Sequence, residues 1–249
     1  MSENARQNGR VAGASKVSVI IPAYDEGETI PELLDEVVRV MADLELDYEL
    51  IVVDDGSSDD TLGVVGNLAK RNPKVRVVRN DPNMGKGYAI KKGFQHSTGE
   101  VVVYLDADFS MHPQHLAGYL QRLGEADIVV ASKRHPESDI IYPLYRRVLS
   151  RGFNMLVRAM FLLPLSDTQC GFKVFRRRVL EDVVPWLLVK RYAFDVELLV
   201  NAHKRGYRVA EAPITLRHGE ERLCVRDVLR MVVDLLAIFY RLHLTKTYG

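Results

Sequence analysis

The 249-residue chain is 47% hydrophobic and carries a formal net charge of +1. It can therefore bury a sizeable core, and it shows no overall basic excess that would point to nucleic acid as a partner. Its two cysteines, Cys170 and Cys224, exclude a disulfide framework and any Cys-x-x-Cys motif, so a reducing, cytoplasmic compartment is the default.

Residues 1–15, rich in Asn, Gly, Ser, Ala and Arg, read as a disordered tail with no apolar secretory centre. No apolar run reaches the roughly 18 residues that a membrane-spanning helix needs. Residues 17–21 form the first strand pattern, followed by Pro22, Ala23, Tyr24, Asp25 and Glu26. Apolar residues at 30, 33, 34, 37, 38, 40 and 41 then mark an amphipathic helix, with Pro31 tolerated in its first turn. Residues 48–53 are a second strand running into Asp54-Asp55-Gly56-Ser57-Ser58-Asp59-Asp60-Thr61, where Gly56 permits a tight turn and a helix follows to about Arg71. Residues 75–78 are a third strand, and the stretch 80–87 leads into a helix over 88–96. Residues 101–105 are a buried fourth strand that delivers Asp106 and Asp108 at its end. A helix over 115–124 and a fifth strand over 127–131 lead to Ser132-Lys133-Arg134. This alternation predicts an α/β fold with a mainly parallel sheet flanked by helices.

The second half reads differently. Residues 142–163 are helical, with Arg146, Arg147, Arg151 and Arg158 beside an apolar stripe, stopped by Pro164. Residues 166–176 are a turn into a short strand. Helices over 179–186 and 192–204, a strand over 208–214 and an apolar helix over 227–244 complete the chain. The organisation expected is a tail over 1–15, a catalytic domain over 16–225, and a C-terminal amphipathic helix over 226–249 in contact with a membrane surface.

Three strand ends bring carboxylates to one edge of the sheet, the edge where open α/β folds bind ligands. Such a crowd of like charges needs a cation or hydrogen-bond donors to offset it. Asp106 and Asp108 lean the same way from an extended segment and can together hold Mg2+ or Mn2+ against a substrate's phosphates. Asp54 or Asp55 can accept hydrogen bonds from a nucleoside. The two glycines around Lys86 let backbone approach a ligand, and Lys86 adds positive charge. The spacing is neither a P-loop nor a dinucleotide fingerprint. Trp186 is expected in the core, Cys170 as packing.

Val-Ile-Ile-Pro-Ala-Tyr-Asp-Glu, Val-Val-Asp-Asp-Gly-Ser-Ser-Asp-Asp-Thr, Asn-Met-Gly-Lys-Gly and Tyr-Leu-Asp-Ala-Asp, in this order over 16–134, resemble the family 2 inverting glycosyltransferases of the GT-A fold. Asp167-Thr-Gln-Cys-Gly-Phe-Lys-Val-Phe and Arg191-Tyr-Ala-Phe-Asp-Val-Glu-Leu-Leu resemble the dolichyl- or polyprenyl-phosphate hexose synthases within it, leaning to the glucose type with the mannose type next. The resemblance implies that Pro22, Ala23, Tyr24 and Glu26 line the nucleotide pocket, with Asp54 or Asp55 on the nucleoside. It places Lys86, Asp106, Ala107 and Asp108 on the nucleotide sugar, with Asp106 and Asp108 as metal ligands. Lys133 or Arg134 supplies a cation, Arg146 meets the acceptor phosphate, and Arg217 and Arg222 close over the diphosphate.

The activity implied is transfer of a hexose from UDP-glucose or GDP-mannose to a dolichyl or polyprenyl phosphate, at the cytoplasmic face of a membrane. The acceptor phosphate is already anionic near neutral pH and attacks without a protein base, inverting an α-linked donor to a β-linked product. Two other activities stay open: transfer to a hydroxyl acceptor with Asp195 as base, and a silent nucleotide-sugar-binding scaffold. A homo-oligomer is neither required nor excluded.

Overall fold

A computed structural model describes residues 16–108, 111–140, 144–216, 225–245 and 247–248, with the side chains of 144–148 and 225 left aside. The expected tail, Arg217 and Arg222 thus lie outside the described residues, as does the side chain of Arg146.

Nine strands and eight helices occur among the described residues: β1 (Val17–Ala23), α1 (Ile30–Asp43), β2 (Tyr48–Asp54), α2 (Thr61–Arg71), β3 (Val75–Arg79), α3 (Lys86–Gln95), β4 (Val101–Leu105), α4 (Leu116–Arg122), β5 (Ile128–Ala131), β6 (Asp139–Ile140), α5 (Leu144–Phe161), β7 (Phe172–Arg176), α6 (Arg177–Val183), α7 (Phe194–Lys204), β8 (Val209–Ala212), β9 (Thr215–Leu216) and α8 (Val225–His243). The main sheet runs β3-β2-β1-β4-β7-β5-β8, and β6 and β9 form a small second sheet. β1 pairs in parallel with β2 and β4, β2 with β3, and β5 with β8. β7 is the exception: it is wedged between β4 and β5, antiparallel to both.

Alternation along the strands divides the core into two. Val17, Val19 and Ile21 of β1 and Val101, Val103 and Leu105 of β4 face α1, α2 and α4 through Leu33, Val37, Val65, Leu116 and Leu120. Ile20, Val102 and Tyr104 face the other way, onto α3, α5, α6, α7 and α8 through Ile90, Val157, Val179, Leu199, Leu235 and Ile238. Both faces of the sheet are therefore covered, which is why its strands read as continuous apolar runs. Each fully buried aliphatic side chain contributes about 1.5–3 kcal/mol through removal from water.

Glu49 is a polar fastener joining β1, β2 and β3. Buried within β2, it accepts hydrogen bonds from Ser18 Oγ of β1 (2.7 Å) and from the Thr98 N–H (2.6 Å) and hydroxyl (2.8 Å), and it pairs with Arg76 of β3. Burial pulls its pKa upward, but the bonds from Ser18 and Thr98 and the Lys16 charge outweigh that and bring it down to about 2.

α5 and α8 are only partly absorbed into the core. Val157 and Phe161 of α5 and Leu235 and Ile238 of α8 are buried, while Leu149, Met155, Val228, Leu229, Val233, Leu236 and Tyr240 stay exposed. No helix among the described residues is long and apolar enough to cross a membrane. Trp186, expected in the core, is instead 41% exposed, with the Arg205 guanidinium 5.3 Å from its ring centroid.

Candidate active site

β1, β2 and β4 are parallel, so the loops after Ala23, Asp54 and Leu105 gather at one edge of the sheet. The loop after β1 is fastened to the loop after β2. Asp25, held at φ +54, accepts from the Ser58 N–H at 2.7 Å, while the Glu26 N–H donates to Thr61 Oγ1 at 2.9 Å and the Gly27 N–H to Asp59 Oδ2 at 3.0 Å. Pro22 and Ala23 end β1, and Tyr24 projects from the edge, 46% exposed. The Glu26 carboxylate accepts from Thr29 Oγ1 at 2.7 Å, and the same hydroxyl lies 3.3 Å from the Ala107 carbonyl. Thr29, which the sequence did not single out, thus joins the first loop to the Asp-Ala-Asp segment.

Asp54 and Asp55 are both buried; Asp55 makes its bonds within the protein, whereas Asp54 Oδ2 accepts no hydrogen bond. Asp54 accepts from the Ser57 N–H at 3.0 Å and lies 3.6 Å from Arg79 Nε. Asp55 accepts from Asn80 Nδ2 (2.7 Å) and from the N–H groups of Met84 (3.0 Å) and Gly85 (2.7 Å), shaping the loop that leads to Lys86. The glycines flanking Lys86 allow close approach by the protein itself. A Cβ on Gly85, at φ +96, would meet the Lys190 carbonyl at 2.6 Å, and one on Gly87 would meet Phe194 at 2.5 Å. Their bareness lets α3 dock against the start of α7.

Asp106 lies at the centre. Its N–H donates to the Gly171 carbonyl at 3.0 Å, extending the β4–β7 ladder by one step. A Cβ on Gly171 would stand 1.7 Å from Asp106 Oδ2, so the carboxylate lies over a bare α-carbon. Lys86 Nζ sits 2.7 Å from Oδ1 and donates to Oδ2 at 2.9 Å; Oδ1 is buried and accepts no hydrogen bond. Burial opposes the charge on Lys86, but Asp106, Asp195 and Asp108 outweigh it and hold its pKa above the usual lysine range. Lys86 is thus a fixed cation among the acidic groups.

Beside Asp106 lies a buried network around Asp195, a residue the sequence had offered as a base, whose partner Lys173 sequence reasoning missed. The wholly buried Lys173 ammonium of β7 donates to Asp195 Oδ1 (2.7 Å), to Tyr104 Oη (2.6 Å) and to the Cys170 carbonyl (2.6 Å). Tyr104 also donates to Asp195. Burial pushes the Asp195 carboxyl well above the usual carboxylate range, and burial with the neighbouring Lys86 charge pushes Lys173 below the usual lysine range. The one sequence signal was a lysine inside the apolar run Phe172-Lys173-Val174-Phe175. The Cys170 thiol is pushed up to about 12 by burial and packs 3.4 Å from Met111 Sδ.

Of the cations expected after β5, Arg134 is committed to structure: its guanidinium donates to the Ser166 carbonyl and to the Ser150 carbonyl at 2.7 Å. Lys133 lies 3.8 Å from Asp167, whose carboxylate also accepts the Lys133 N–H at 3.1 Å.

A covered, mainly parallel sheet with an Asp-x-Asp at the end of a central strand and a lysine set against it defines a glycosyltransferase of the GT-A fold. The structure superposes on glucosyl-3-phosphoglycerate synthase from Mycobacterium tuberculosis, solved with Mn2+, UDP and glucosyl-3-phosphoglycerate, with a TM-score of 0.73 at 23% identity over 95% of this chain and 82% of that one. The chain belongs to glycosyl transferase family 2, whose model matches residues 18–184. It is 36% identical to a dolichyl-phosphate beta-glucosyltransferase of Trichomonas vaginalis, over 89% of this chain and 71% of that protein. Identity is 31% to the Dictyostelium discoideum dolichyl-phosphate beta-glucosyltransferase, over 90% and 74% of the two chains. With the glycosyltransferase AglD of Haloferax volcanii it is 33%, over 95% of this chain but 39% of that larger protein.

Proposed function

We propose that this family 2 enzyme transfers glucose from UDP-glucose to the phosphate of a dolichyl or polyprenyl phosphate, with inversion, at the cytoplasmic surface of a membrane. The observation that carries the acceptor class is the state of Asp195. A hydroxyl acceptor needs a carboxylate within reach of its proton, and Asp195 is buried with its Oδ1 engaged by Lys173 and Tyr104. A phosphate acceptor arrives as an anion and needs no such base. The relatives named for dolichyl-phosphate glucosyl transfer support the same acceptor and favour glucose over mannose.

The residues at the end of β4 fit a divalent cation. Asp106 Oδ1 is buried, with the Lys86 ammonium 2.7 Å away, and Asp108 follows two residues on. Mg2+ or Mn2+ can be held by one or two carboxylates together with a substrate's phosphates. Asp106 and Asp108 would hold it, and when bound it supplies positive charge to the leaving diphosphate. Lys86 places a second, protein-borne charge beside the same group. The exposed apolar residues of α5 and α8 suit contact with a lipid surface, and Arg151 and Arg158 on α5 favour anionic headgroups.

The test incubates purified protein with Mg2+ or Mn2+, a polyprenyl phosphate, and radiolabelled UDP-glucose or GDP-mannose, and counts label in the organic phase. Label from UDP-glucose, lost in Asp108→Asn, is the expected result. Label from GDP-mannose alone would overturn the sugar, and release of UDP without labelled lipid would overturn the acceptor.

A further inference from the structure

Lys86 is the first residue of α3, and that turn is held from outside the helix. Residues 187–193 run past it without belonging to a helix or strand. The Tyr88 N–H, which has no acceptor within its own helix, donates to the Lys190 carbonyl at 3.1 Å. The same carbonyl lies against the α-carbon of Gly85, 2.6 Å from where a Cβ would stand. Lys91 Nζ, a turn further along α3, donates to the Leu187 carbonyl at 3.3 Å. A segment with no ladder of its own needs other partners for its N–H groups, and Glu197 of α7 supplies them. Its Oε2 accepts from the Leu188 N–H at 2.9 Å and from the Val189 N–H at 2.8 Å. Its Oε1 accepts from Arg241 of α8 at 2.8 Å and from the Tyr248 hydroxyl. Glu197 is wholly buried and Tyr248 nearly so. Four donors from two segments thus converge on one carboxylate, which has the four acceptor positions they need.

We propose that Glu197 is a positioning residue for Lys86: by anchoring residues 187–193 against the end of α8, it sets where the Lys86 ammonium meets Asp106. This rests on the reading above that Lys86 lends its charge to the leaving diphosphate. Glu197 acts through backbone. It fixes Leu188 and Val189, the next carbonyl is that of Lys190, and this carbonyl holds Gly85 and Tyr88 on either side of Lys86. From the other direction Asp55 accepts the Met84 and Gly85 N–H groups and fixes the loop that enters α3. The 2.7 Å approach of Lys86 Nζ to Asp106 Oδ1 is therefore determined from both sides of the turn. A glutamine at 197 has the same shape but a single acceptor oxygen. It must turn its NH2 group either to the Leu188 and Val189 N–H groups or to the donors from Arg241 and Tyr248, and the anchor loosens in both cases. Were the carboxylate only a joint between α7 and α8, its loss would lower stability and leave Lys86 in place.

The experiment uses the full chain, Glu197→Gln, Lys86→Met and the double variant, with Tyr248→Phe as a milder change that withdraws one hydroxyl from the carboxylate. Binding of UDP in Mg2+ is measured by calorimetry, and kcat by transfer from UDP-glucose to polyprenyl phosphate. Unfolded protein lowers the binding stoichiometry but not Kd, so Kd separates positioning from mere stability. Glu197→Gln should lower kcat by about tenfold or more, as small displacements of a charged group do, and raise the UDP Kd. The KM for polyprenyl phosphate should hold, and Tyr248→Phe should shift kcat and Kd the same way by a smaller factor. In the Lys86→Met background Glu197→Gln should change neither quantity further, because the group it positions is already gone. Equal losses in the two backgrounds would overturn the proposal, and so would wild-type kcat and Kd in Glu197→Gln or in Tyr248→Phe. Wild-type kcat and Kd in Lys86→Met would remove Lys86 from the diphosphate and take this inference with it. If the wild-type protein binds UDP but labels no lipid, the acceptor reading falls alone, and the UDP affinities still decide the role of Glu197.

Discussion

Asp106 is set by its neighbours rather than by its own rotamer preferences. Lys86 grips its carboxylate, the ladder bond to Gly171 fixes its backbone, and the missing Cβ of Gly171 makes room for its oxygens. Gly171→Ala should therefore push the carboxylate aside and lower kcat by about 100-fold, the usual consequence of an ångström-scale misplacement. Rate assays paired with a melting curve would show the loss without unfolding. Lys173 predicts the opposite pattern. Lys173→Met removes the donor to Asp195, Tyr104 and the Cys170 carbonyl and leaves buried acceptors unpaired, which should cost about 1–3 kcal/mol of stability, read from urea denaturation. Lys173→Met combined with Asp195→Leu should return part of that stability, because fewer buried polar groups then lack a partner. The sequence singled out Asp106, Asp108 and Lys86, the Asp-x-Asp as a metal site chiefly through the linked motifs that carry the family resemblance. Gly171 and the Lys173–Asp195 pair were not legible there, because their roles appear only when β7 is laid beside β4 and α7 is packed on that sheet face.

Among the elements, β2 shows how a polar residue can fasten three strands. Glu49 has an ordinary pKa of 4.5 and is held at about 2 in the fold. A depressed carboxyl adds stability that is fully present above its unfolded value and is lost as pH falls through the folded one. Urea midpoints should therefore decline between about pH 4.5 and pH 2, and Glu49→Gln, less stable at pH 7, should show a shallower decline. Most elements were readable from periodicity, including the helices that became α1, α5 and α8. The direction of β7 was not. A five-residue apolar strand has the same pattern whichever way it runs, and its orientation is fixed by partners far away in sequence, β4 and β5. At the glycines beside Lys86 the sequence indicated close approach, and Lys190 and Phe194 of the protein itself are among the groups that approach.

At the scale of the whole molecule, the exposed apolar residues of α5 and α8 lie on helices whose other sides share one core. Val233→Asp with Leu236→Asp should reduce sedimentation with anionic vesicles several-fold while leaving the melting temperature nearly unchanged, since both side chains are already in water. Equal sedimentation of variant and wild type would remove this surface from membrane contact. The wedged position of β7 also bears on how the chain is made. β4 is complete at residue 105, but the strand that covers its outer edge ends only at residue 176. While the intervening chain emerges from the ribosome, the nascent sheet carries an uncovered edge whose N–H and C=O groups can template pairing with another chain. β5 cannot close that edge, because it joins the sheet only through β7. Aggregation during synthesis should therefore be most sensitive to how quickly residues 106–176 are delivered, and slowing translation within that window should lower soluble yield more than slowing it after residue 176.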